Sequence, residues 1–127
     1  MTSLDVSDLA AMLGLVPGVG AAIVNEPDGW LDALSLSDDV TLYERASRPL
    51  DVIVYFSDER ANVERRLPVF AGFLAPGGAL WMATPRSAGD LSRSDVEAIG
   101  EQAGLRAAGE QAVAPGWKAV RLEVARS

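Results

Sequence analysis

Two short runs, VIVYF (52–56) and ALWMA (79–83), are apolar at every position. A strand with one wet face alternates apolar and polar residues. An unbroken apolar run of strand length implies burial on both faces. Between the two lies DERANVERRLPVFAGFL (58–74), where Val63, Leu67, Phe70 and Leu74 recur at helical spacing and form a single stripe. Two doubly buried strands joined by an amphipathic helix form a parallel crossover unit. VGAAIVN (19–25) is a further continuous apolar run and reads as the first strand, and DVTLYE (39–44) reads as the second. LDVIVYF (50–56), the most apolar, is predicted to be the third and central strand.

The remaining segments fit around this unit. SDLAAMLGL (7–15) reads as a short helix, with Ser7 as its cap and Gly14 as its stop. Asp28 can cap a helix over GWLDALSL (29–36), and Ser57 the long helix, which Pro68 should kink by removing a donor. Pro76-Gly77-Gly78 reads as a turn into ALWMAT. In SRSDVEAIGEQAG (92–104), Ser94 and Glu97 have capping-box spacing and Gly104 can end the helix. LRAAGEQAV and WKAVRLEVA flank the turn APG as a closing hairpin. The expectation is one small Rossmann-like α/β domain over residues 1–127, with a mostly parallel sheet of about six strands and a C-terminal antiparallel hairpin.

Composition removes whole classes of chemistry. The chain has no Cys and no His, which excludes disulfides, thiolate nucleophiles, Cys/His zinc sites and imidazole bases. No loop has the spacing of a carboxylate metal site, so no metal is expected. The formal charge of −7 repels phosphate backbones and anionic lipids, so neither nucleic acid nor membrane is an expected partner. Residues 67–85 carry no charge, but three prolines and a Gly-Gly pair interrupt them, which argues against a membrane span. There is no basic segment followed by an apolar one at the start of the chain, so a cytoplasmic protein is expected.

The run from Asp51 to Pro85, with the helix and hairpin that follow, resembles the later strands of class I methyltransferases. LGLVPG, VNEPDGW, LAPGGALWMATPR and PGWKAVRL, in that order, give a closer resemblance over almost the whole chain. They are similar to a family of small bacterial proteins known as domain of unknown function 3052. That resemblance implies a shortened methyltransferase-like fold and brings no activity with it. The family's usual Trp and Lys around the proline at position 85 are Thr84 and Arg86 here.

A nucleotide or adenosylmethionine site on such a fold needs glycines after the first strand, so that the ligand can approach the backbone. VNEPDGW offers only Gly29, while Pro27 lacks a donor and Glu26 and Asp28 repel phosphate. The loop reads as a structural turn and helix cap. Glu44 follows Asn25 at roughly the spacing of a ribose-binding acid, but without the glycines it reads as an exposed strand end. The interval from Asn25 to Leu50 has room for one helix and one strand, so part of the adenosine-binding wall should be missing.

Ligands of doubly wound sheets bind outside the carboxyl ends of the strands. There the sequence places Asn25, Trp30, Ser57, Asp58, Thr84 and Arg86, with Trp117 and Lys118 returning to the same edge at the hairpin. Trp81 and Trp30 read as core filling. These residues are candidates for binding an unidentified protein or small polar ligand; none is expected to be catalytic. The expected function is a non-catalytic binding or interaction module without a cofactor. The alternative is an S-adenosylmethionine-dependent methyltransferase with an atypical site, for which Asp58 or Glu26 would be the candidate base. DVTLYE, an edge strand with few charges, would favour a homodimer.

Overall fold

The computed structural model describes residues 6–16, 18–30, 40–43, 49–86, 91–114 and 116–124. Along the chain these form α1 (Val6–Met12), β1 (Gly20–Val24), β2 (Thr41–Tyr43), β3 (Leu50–Phe56) and α2 (Arg60–Ala71). They continue as β4 (Leu74–Pro85), α3 (Arg93–Gln102), β5 (Leu105–Ala114) and β6 (Trp117–Val124). Most of the helix expected over 29–36 lies outside the described residues.

Among the described residues the strands make one six-stranded sheet in the order β2-β1-β3-β4-β6-β5. Pairing is parallel from β2 through β4, and β6 runs antiparallel to both β4 and β5. The Rossmann-like α/β expectation holds, and β3 lies between β1 and β4 as its apolar run implies.

Period-2 alternation divides the sheet into two dry faces. Ile53, Tyr55, Leu80, Met82, Val120 and Leu122 face α2 and α3, against Val63, Leu67, Phe70, Val96 and Ile99. Val52, Val54, Phe56, Trp81, Ala83 and Ala119 face the other way, against Leu9 and Leu13 of α1 and against Trp30. Burial of both faces explains the unbroken apolar runs. Trp81 is a core residue: its indole Nε1 donates to the Leu13 carbonyl at 3.0 Å, and the Arg121 guanidinium lies 5.8 Å from its ring centre.

Three local expectations are corrected. First, β4 begins at Leu74, so Leu74 belongs to the sheet rather than to the helical stripe, which ends with Phe70. Leu50 pairs with Leu74 and Val52 with Ala79, so Ala75 to Gly78 bulge out opposite Asp51 instead of turning the chain into the strand. Gly77 sits at φ 81°. A Cβ on Gly78 would lie 2.9 Å from the carbonyl oxygens of both Ala75 and Leu50.

Second, α2 starts too late for Ser57 to cap it. Glu59 holds the N-cap position without a side-chain bond, and the Ser57 hydroxyl accepts from the Glu59 amide at 3.2 Å. The helix accommodates Pro68 and stops at Ala71, within a turn of it.

Third, the capping box of α3 is Ser92 with Asp95, not Ser94 with Glu97. Both pairs have the same spacing. The earlier one is chosen because Leu91 and Val96 are fully buried in one cluster and clamp the chain on either side of the first turn. Gly104, at φ 85°, follows the end of the helix as expected.

Asp95 also pairs with Arg60 at 3.1 Å, tying α3 to α2. The Ser92 hydroxyl and amide, with the Arg60 guanidinium, hold its carboxyl below the ordinary carboxylate range.

Gly78→Ala should destabilise the fold by about 1–3 kcal/mol in urea denaturation, as forced overpacking does. Asp95→Asn should melt below the parent at pH 7. The depressed carboxyl contributes fully only above its unfolded value, about 3.9, and the contribution is lost as pH falls through the lower folded value. The two melting curves should therefore draw together as the pH is lowered through and below that folded value, as followed by circular dichroism.

Candidate functional site

The chain leaves β1 for β2 on one side, then returns to β3 on the other side of β1. The strand order therefore reverses between β1 and β3, and their carboxyl ends border the crevice where ligands of such sheets bind. Asn25 follows β1 directly, at φ 60°, the left-handed region that Asn enters more readily than most residues. Ser57 and Asp58 follow β3; Ser57 is buried and Asp58 exposed.

Trp30 occupies the inner part of this edge. A tight turn carries it there: its amide donates to the Pro27 carbonyl at 3.0 Å, and Gly29 takes φ 79°. The indole is 8% exposed, and its Nε1 donates to the Val113 carbonyl at 2.7 Å. Its ring meets Phe56 edge-on with centroids 4.9 Å apart, and Phe56 in turn meets Trp117 edge-on at 5.3 Å. Phe56 is the hub of this cluster and did not stand out in the sequence. Its parity with Val52 and Val54 puts it on this face, and its place at the strand end puts it at this edge.

The other candidates come to the same edge but divide between the two faces of the sheet. Thr84 pairs with Lys118 and Pro85 with Trp117 across β4 and β6. Thr84 and Lys118 thus share one face, and Trp117 lies on the other with Trp30 and Phe56. Thr84 is 1% exposed, and its hydroxyl lies 3.4 Å from the Leu91 carbonyl, at the long limit of a hydrogen bond. Arg86 is exposed, and its amide donates to the Gly116 carbonyl at 2.8 Å, which fixes the strand end against the hairpin turn. Glu44 lies outside the described residues.

Two cavities lined by described residues lie at the opposite, amino end of the strands. One of about 440 Å³ is bordered by Leu74, Gly77, Gly78, Arg106, Glu123 and Val124. A smaller one of about 180 Å³ reaches Leu13, Asp51 and Arg121. The described residues include no group of His, Cys, Asp or Glu that could hold a metal ion, and no helix long and apolar enough to cross a membrane.

The sequence profile of the family described as Protein of unknown function (DUF3052) matches residues 35–126. The chain belongs to this family. No curated protein matches it.

Solved structures give the fold independently. A SAM-dependent methyltransferase from Aquifex aeolicus superposes with a TM-score of 0.69 at 15% identity, covering 94% of this chain and 89% of that one. A chain from the Haloferax volcanii complex of the Trm112 methyltransferase activator gives 0.67 at 11% identity, covering 95% and 88%. The mitomycin 7-O-methyltransferase MmcR gives 0.64 at 16% identity; the match covers 94% of this chain but only 54% of that enzyme. At such identities the likeness establishes the architecture, a methyltransferase-like Rossmann sheet, and leaves chemistry to the residues.

Trp30→Phe should keep the ring packing but leave the Val113 carbonyl without its donor. A loss of about 1–3 kcal/mol in urea denaturation is expected for an orphaned buried acceptor.

Proposed function

We propose that this protein is a non-catalytic binding module that keeps the methyltransferase-like sheet but not a working cofactor loop, and that it acts through the carboxyl edge. The observation that carries this reading is Trp30, buried against Phe56 and bonded to the Val113 carbonyl. An adenosyl group seated over the carboxyl ends of β1 and β3 would have to displace it. Losing a buried Trp from its packing costs about 3–5 kcal/mol, which would weaken any such ligand by more than about a hundredfold. The loop adds to this. Between Asn25 and Trp30 only Gly29 lacks a side chain, and Pro27 has no amide proton to offer. The residues do not fit adenosylmethionine in its usual pose, and no step is routed through it.

The candidate surface comprises Asn25, Asp58, Arg86, Trp117 and Lys118, with Ser57, Thr84 and Trp30 beneath it. A protein partner suits an exposed rim over a filled crevice better than a buried small molecule does. The Haloferax volcanii neighbour comes from a complex of two proteins, so a fold of this kind is compatible with a bound partner. The net charge of −7 disfavours nucleic acid.

The second reading, a methyltransferase with an atypical site, draws on the strand-order reversal beside Asn25. Titration calorimetry with S-adenosylmethionine and its demethylated product separates the two. The proposal expects no binding tighter than about 10 μM, near −7 kcal/mol. A tighter constant for either compound would sink the non-catalytic reading and promote the enzyme.

A further inference from the structure

The described cations can be accounted for one by one. Arg60, Arg93, Arg106 and Arg121 make ion pairs with neighbouring carboxylates. Arg65 donates to the side-chain amide oxygen of Asn62, and Arg66 lies 6.0 Å from the Tyr55 ring centre. Arg86 and Lys118 have neither an ion pair nor a side-chain hydrogen bond among the described residues. They are also neighbours. Lys118 pairs with Thr84, two residues from Arg86, and the Arg86 amide is bonded to Gly116, two residues from Lys118.

The backbone around them is neutral. The cross-strand partners of Lys118 are Thr84 and Ala112, and those of Trp117 are Pro85 and Ala114. In a chain with 18 acidic and 11 basic residues, a carboxylate is available to most cations. Two adjacent cations without one mark a patch that the described carboxylates leave unneutralised. At the same strand ends, but on the other face of the sheet, stands Trp117, half-buried and fixed edge-on by Phe56.

From this arrangement we infer that the rim formed by Arg86, Lys118 and Trp117 docks an acidic peptide segment of a partner protein that crosses the sheet edge, with carboxylates on the two cations on one face and an apolar side chain against the indole on the other. The inference rests on the proposed binding-module reading and names the partner's chemistry. Arg86 presents a planar fork that matches a carboxylate, and Lys118 supplies a compact second charge. The two cavities lined by described residues lie elsewhere, at the amino end of the strands. Exposed charge contacts are individually weak and screened by salt, so a short peptide should bind with a dissociation constant of about 0.1–1 mM.

The test uses the full chain labelled with ¹⁵N and the peptide acetyl-Leu-Glu-Glu-Glu with a free carboxyl terminus. Saturable amide shifts are expected at Arg86, Gly116, Trp117 and Lys118. Raising the salt to about 0.5 M should weaken them, since screening acts within a shorter range there. The double variant Arg86→Gln, Lys118→Gln should lose at least about fivefold in affinity with an unchanged melting temperature. The neutral peptide acetyl-Leu-Gln-Gln-Gln-amide should leave these amides unmoved.

The inference fails if no shifts reach these residues by about 2 mM peptide, well above the expected constant, or if the double variant binds equally well. It also fails if inorganic phosphate moves the same amides at the same concentration, because the rim would then be a generic anion contact. Its failure is separable from that of the parent reading. Tight adenosylmethionine binding overturns the module, whereas absent peptide shifts without cofactor binding overturn only the acidic partner.

Discussion

The structure depends on the dryness of β3. From Val52 to Phe56 every side chain is buried, so both faces of this strand are closed to water. A backbone in that position has no solvent to bond with and must be paired along both edges. β1 and β4 supply the pairing, and helices must cover both faces. The order of the sheet, its crossovers and the position of its crevice follow from that requirement. Tyr55 shows the consequence: though it carries a hydroxyl, it is wholly buried and packs edge-on against Phe70 at 5.1 Å.

The same constraint shapes the edge proposed to bind. The residue that ends the dry run is Phe56, and an aromatic side chain at the mouth of a crevice needs apolar neighbours. Trp30 and Trp117 provide them from two distant parts of the chain. Among the described residues these rings fill the inner part of the edge, while the outer rim keeps its charged and half-exposed side chains. On the proposed reading, stability and recognition are separated by depth rather than by location.

How much of this was legible from sequence depends on the range of the interaction involved. The β3 run, its central place, the helix between β3 and β4 and the closing hairpin were legible, because each is encoded by local periodicity or turn chemistry. The start of β4 was not. Pro-Gly-Gly has strong turn propensity, and only the pairing of Leu74 with Leu50 turns it into a bulge. The cap of α3 was missed by two residues because two pairs of equal spacing compete, and the burial of Leu91 decides between them. At the candidate site, connectivity alone brought the residues to one edge. The parity of β4 could also have separated Thr84 from Trp117. The bond between Trp30 and Val113 spans 83 residues and leaves no local mark.

The bulge in β4 also bears on how relatives of this chain should be compared. A glycine pair beside an apolar strand in a methyltransferase-like fold invites assignment to cofactor contact, and invariance across homologues would strengthen that temptation. Here Gly78 has the carbonyl oxygens of Ala75 and Leu50 at 2.9 Å from where a side chain would begin. Selection at that position acts on the closeness of two backbones. An alignment in which this glycine never varies would report how β3 and β4 fit together, and would carry no information about a ligand.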